Sequence, residues 1–226
     1  MSMEGAVVAL AATVVSFVFG ALVFNQWLSR RKPYQLAWAV GLSMYAMAAF
    51  TQFLAESYSW TPGIYRVYYF VAAPLVAVLG VGSALLLSRR AGLGLAIYTA
   101  VLLLGFGWVV FTSAVDLSAF ALPVPGGSGF PESVRIWSPL FTVPGSIALI
   151  GVAAYSYWRT RLAFNAWIAA GAVVVAAGGS LARFNVAPWG LYIGNLIGIA
   201  LMFWGFVASQ DLARTPRLAA EQAPFA

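Results

Sequence analysis

The stretch Tyr69-Phe-Val-Ala-Ala-Pro-Leu-Val-Ala-Val-Leu-Gly-Val-Gly-Ser-Ala-Leu-Leu-Leu-Ser-Arg-Arg90 decides the fold class. It holds no charge until Arg89 and Arg90 close it. A helix crossing the hydrocarbon of a bilayer needs about 20 mostly apolar residues, and this run supplies them. Runs of the same character recur on both sides. Together they predict seven transmembrane helices, at roughly 5–28, 34–56, 64–88, 92–114, 136–158, 162–183 and 188–209. The runs are long and continuous rather than alternating, which argues against a strand barrel. Of the 226 residues, 62% are hydrophobic and 8% charged. A soluble domain carries about 25% charged residues, so lipid is the expected solvent. The fold class is all-α: a seven-helix bundle over residues 1–210 and a short cytoplasmic tail over 211–226.

The cations between the runs set the orientation. Arg30, Arg31, Lys32, Arg89, Arg90, Arg159, Arg161, Arg214 and Arg217 fall on one side, and Arg66, Arg135 and Arg183 on the other. The positive-inside rule places the larger group in the cytoplasm, hence N-out and C-in. Glu4 stands where a signal peptide would carry positive charge, so the first helix is expected to stay as an anchor. The expected location is a plasma membrane, of bacterial or archaeal cytoplasmic type. The net charge of +6 is a matter of topology rather than nucleic-acid binding.

The residue types present limit the chemistry. There is no cysteine and no histidine. Usual haem ligands and most zinc sites are therefore excluded. No Asp, Glu, Lys or His lies at the centre of a predicted helix, where proton relays are built. A nucleophile with its base cannot be assembled at depth either, so the chain is not expected to be an enzyme.

Polar residues gather in the outer halves of the helices. Tyr45, Gln52 and Glu56 share a face of helix two, and Arg66 and Tyr69 share one of helix three. Arg183 lies on helix six, and Tyr192 and Asn195 on helix seven. Polar groups at bilayer depth avoid lipid and turn to the bundle interior. These eight residues are the candidate ligand site, an outward-opening vestibule with Glu56 paired to Arg66 or Arg183. The alternative is ordinary interface residues, with the arginines snorkelling to headgroups. No metal site is expected.

Other features bear on packing. Gly190, Gly194 and Gly198 on helix seven, with Gly171, Gly178 and Gly179 on helix six, predict close backbone approach. That contact would be internal, or would join a second copy or a partner in a membrane complex. The connection from Val115 to Arg135, rich in Pro and Gly, is a lid, a partner contact or a plain linker. Trp27-Leu-Ser-Arg30 and Trp158-Arg-Thr-Arg161 occupy equivalent turns, and Gly41 and Gly171 follow them. This suggests a 3+1+3 plan of parallel repeats.

The segment Tyr65-Arg-Val-Tyr-Tyr-Phe-Val-Ala-Ala-Pro-Leu-Val76 resembles the third helix of microbial rhodopsins. There an aromatic precedes a mid-helix proline by five residues, as Tyr69 precedes Pro74. The N-out, C-in seven-helix plan is similar too. The resemblance implies a rhodopsin-like bundle without covalent retinal. The sole lysine is Lys32, in the first cytoplasmic loop, and Tyr68 stands at the position of the family's counter-ion carboxylate. The 3+1+3 plan is likewise similar to that of small sugar transporters, without the Pro-Gln pair that marks many of their relatives.

The leading expectation is a binding or sensing module for a small, partly apolar ligand, held noncovalently. The alternatives are a passive transporter of a small neutral solute and an accessory subunit that packs within a larger membrane complex.

Overall fold

The computed structural model describes residues 3–120, 126–183 and 190–221. The described side chains exclude those of residues 3, 176, 178–191 and 211–221. Among the described residues every regular element is a helix. The helices are α1 (Met3–Arg30), α2 (Pro33–Ser57), α3 (Pro62–Ala72), α4 (Leu75–Leu87), α5 (Arg89–Thr112), α6 (Glu132–Arg135), α7 (Trp137–Thr160), α8 (Ala163–Arg183) and α9 (Gly190–Glu221).

Among the described residues six stretches are long and apolar enough to cross a membrane: Glu4–Arg30, Pro33–Ser57, Pro62–Leu87, Arg89–Thr112, Glu132–Thr160 and Tyr192–Gln210. They correspond to six of the seven expected spans. The remaining one, expected at 162–183, is α8; its described apolar stretch, Ala163–Val175, is shorter than a span. The last helix runs on to Glu221, past the expected end of the bundle at 210.

Prolines set the local geometry. Pro33 and Pro62 open their helices at positions where no intrahelical N–H is needed. Thr61 caps α3 by accepting the Ile64 N–H at 3.2 Å. Pro74 separates α3 from α4 within one span, because its ring removes a donor and crowds the preceding turn. Pro144 lies inside α7 and cannot serve the Leu140 carbonyl four residues back. That carbonyl instead accepts the Tyr98 hydroxyl of α5 at 3.0 Å.

The helices close into a ring. α1 packs on α2, α2 on α3 and α4, α4 on α7, α7 on α8, and α8 on α9, which returns to α1. α5 stands outside the ring against α3, α4 and α7. Glycines permit the closest approaches. A Cβ on Gly145 would stand 2.5 Å from the Ala77 amide nitrogen of α4. Gly171 and Gly198 meet across α8 and α9, where a Cβ on either would come within 2.5–2.6 Å of the other's carbonyl oxygen. The contact expected along the last helix is thus made inside the chain.

The turns after α1 and α7 match in detail. Arg31 and Arg161 are both left-handed, with φ of 52° and 56°. The Arg31 N–H bonds the Trp27 carbonyl and the Arg161 N–H the Tyr157 carbonyl, each at 2.7 Å. Gln35 N–H to Lys32 and Asn165 N–H to Leu162 follow at 3.0 and 3.1 Å. Positive φ is uncommon outside glycine, so its recurrence in the same bonded frame is informative. Gly41 and Gly171 keep that spacing; Gly41 lies against Leu79 of α4, and Gly171 against Gly198 and Met202 of α9.

Candidate functional site

One end of the bundle is capped by the connection between α5 and α7. Its two arms are tied together by the Asp116 N–H, which donates to the Gly129 carbonyl at 2.9 Å. The Asp116 carboxylate accepts the Ser118 N–H at 2.9 Å and the Ser118 hydroxyl at 2.5 Å, which orders a short 3-10 turn, Leu117–Ala119. These bonds hold the Asp116 carboxyl below the usual carboxylate range, the Ser118 hydroxyl being the larger cause.

Tyr65 anchors this connection to α3. Its hydroxyl donates to the Gly126 carbonyl at 2.9 Å and accepts the Gly129 N–H at 3.1 Å. The ring lies 5.0 Å from that of Phe130 and 4.9 Å from that of Phe120, and Trp60 stands edge-on to it at 5.8 Å. Glycine is required at 129, since a Cβ there would meet the Phe120 ring at 2.5 Å and the Tyr65 ring at 2.8 Å. Phe130 and Val134 are buried. Among the described residues the connection is therefore packed onto the end of the bundle, in the position a lid would take.

Beneath the lid lies a cavity of about 650 Å³. It is lined by Tyr45, Gln52, Tyr68, Leu75 and Leu79 from α2–α4, and by Ala172, Val175, Asn195, Ile199 and Met202 from α8 and α9. α7 supplies Ser138, Thr142 and Ser146, spaced by four, with Val143, Ile147, Leu149 and Ile150. Among the described residues no charged side chain lines it. Its polar groups are few and oriented. The Gln52 amide donates to the Tyr68 hydroxyl at 3.4 Å, which leaves the Tyr68 proton to donate. The Tyr45 hydroxyl donates to the Asn195 backbone carbonyl at 2.9 Å and ties α2 to α9. Thr142 back-bonds to the Ser138 carbonyl at 3.1 Å. The volume falls within the usual range for small-molecule sites, as does the mainly apolar lining.

The predicted site residues divide accordingly. Tyr45, Gln52 and Asn195 line the cavity. Tyr192 and Glu56 meet each other, the Tyr192 hydroxyl donating to the Glu56 carboxylate, and both are buried. They do not line the cavity. Tyr69 is packed in the lid's aromatic layer, 5.2 Å from Phe130. Arg66 makes no pair with Glu56; its Nη2 donates to the Ser113 carbonyl at 3.0 Å, at the root of the lid. The side chain of Arg183 lies outside the described residues. The seven described ones thus divide among a cavity wall, a buried pair beside it and supports of the lid.

Sequence reasoning missed Tyr68 and the Ser138, Thr142 and Ser146 row. The row's spacing of four was legible, and it marks one face of a helix. Which way that face points is set by Gly145 against α4. Among the described residues, no group of acidic, His or Cys side chains could hold a metal ion. Comparison with family models, with curated proteins and with solved structures finds no match.

Proposed function

We propose that the chain is a seven-span membrane protein, N-out and C-in, that binds a small, neutral, partly apolar ligand inside its bundle. The observation that carries this is the cavity of about 650 Å³ within the helix ring, whose lining among the described residues holds no charged side chain. Burying an ion among aliphatic walls without a partner is costly, so the lining selects against charge. Gln52, Tyr68 and Asn195 offer hydrogen bonds to one polar group, and Leu75, Ile150, Ile199 and Met202 accept an apolar body. The orientation rests on the cation split, which leaves the lidded end outside the cell. α8 completes the seven spans.

The test uses a diazirine-bearing fatty alcohol as photoprobe on purified protein in phosphatidylcholine vesicles. Saturable labelling at the lining residues, competed by the unlabelled alcohol, is expected. Asn195→Leu and Gln52→Leu should weaken it by roughly tenfold each, about the worth of one lost hydrogen bond in a dry site. Non-saturable labelling spread along lipid-facing side chains sinks the proposal.

The matched turns at Arg31 and Arg161 favour a second reading, a passive transporter of a small neutral solute with two parallel triplets rocking about the cavity. Equilibration of a labelled neutral solute into vesicles at a rate proportional to protein would support it over binding alone.

A further inference from the structure

Two residues of the cavity wall are not inside the bundle. Val143 and Ile147 line the cavity, yet they are 57% and 70% exposed. Helix geometry explains how both can hold. At about 100° per residue, the α7 side chains step around the axis from Gly145 and Leu149, through Thr142 and Ser146, to Ile150, Val143 and Ile147. Gly145 is pressed against Ala77 of α4. The step therefore leads away from α4 towards α8, where Ala172 and Val175 form the facing wall. Along this flank, among the described residues, the lining passes from the polar row to exposed apolar side chains.

The lidded end offers no such passage among the described residues. Trp60 stands 5.3 Å from Tyr68, and Tyr65 lies beyond it under Phe120 and Phe130. The Glu56 and Tyr192 contact ties α2 to α9 at the same level. At the other end Phe19, Phe203 and Phe206 pack together, and Phe206 is buried.

We infer that the cavity is entered sideways from the bilayer, between α7 and α8, by a membrane-dissolved neutral amphiphile. The inference rests on the binding reading above. The entrant is an aliphatic molecule with one small hydroxyl or carbonyl head group. Its chain crosses the Val143 and Ile147 flank without leaving an apolar medium, and its head exchanges interfacial water for Gln52, Tyr68 and Asn195. A water-soluble polar ligand would have to cross hydrocarbon to use this route.

The experiment follows the same fatty-alcohol photoprobe in phosphatidylcholine vesicles, with binding and release timed by flash labelling. Three proteins are compared: wild type, Ile147→Trp and the lid variant Tyr65→Phe. Ile147→Trp narrows the flank, so entry and release should both slow, by about tenfold, as a gate requires. A substitution that only damaged the site would instead speed release. Tyr65→Phe loosens the lid and should leave both rates at the wild-type values. Wild-type rates in Ile147→Trp, or faster entry in Tyr65→Phe, would overturn sideways entry while leaving the site intact. Absence of saturable labelling in the wild type would overturn the binding reading itself.

Discussion

Replacing Tyr98 with Phe tests how the bundle tolerates Pro144 inside α7. Pro144 has no N–H, so the Leu140 carbonyl has no helical donor. The Tyr98 hydroxyl supplies one at 3.0 Å. Hydrogen bonds inside membrane proteins average about 0.6 kcal/mol and reach about 1.7, because separated helices find other partners for the same groups. Leu140 is an exception to that offset. Proline removes its partner in the separated helix as well, and hydrocarbon offers none. The bond should therefore fall in the upper part of the range, at about 1–1.5 kcal/mol, or roughly five- to tenfold in the folding equilibrium. Steric trapping in bicelles measures this directly. The decisive comparison is a double-mutant cycle with Pro144→Ala, which restores an N–H to the helix. In that background Tyr98→Phe should cost less than about 0.5 kcal/mol, leaving a coupling near 1 kcal/mol. Equal costs in the two backgrounds would refute the reasoning.

Tyr65→Phe removes both hydrogen bonds that hold the lid, so amide exchange at Gly129 and Phe130 should quicken by tenfold or more, for about 1–3 kcal/mol of unmet backbone groups. Gly145→Ala should lower stability by about 1–3 kcal/mol through overpacking against Ala77, measured in the same trapping assay. Gly151 has open space around its would-be Cβ, so Gly151→Ala should be neutral or gain a few tenths of a kcal/mol from helix propensity. Equal losses at the two glycines would contradict the packing described. The Asp116 carboxyl has its pKa lowered by Ser118, so ordering of the 3-10 turn is fully present above the ordinary carboxylate pKa. That ordering should fade as pH falls through the lowered value, seen as faster Ser118 amide exchange after correction for intrinsic rates. Asp116→Asn should remove the pH dependence.

The class of this protein was legible in its sequence because transfer into lipid is a property of local composition. An unbroken run such as Phe70–Ser88 cannot be solvated by water, whatever its neighbours. The break at Pro74 was equally local, since proline lacks its donor in any context. The Trp and Arg pattern pointed to the turns at Arg31 and Arg161 one residue out of register, since Trp27 is matched by Tyr157 and not by Trp158, and it did not show their shared left-handed geometry. The polar residues of the candidate site were visible as a set, and only tertiary packing sorted them. Glu56 and Tyr192 found each other, Arg66 went to the lid, and Tyr45, Gln52 and Asn195 were left facing a cavity. A sequence gives the face of a helix but not its neighbour. The close contact of Gly145 with Ala77 turned one side of α7 inward, bringing three small hydroxyl-bearing residues to the cavity. The same rotation left Val143 and Ile147 between cavity and lipid. That direction depends on contacts between residues far apart in the chain, which hydropathy does not encode.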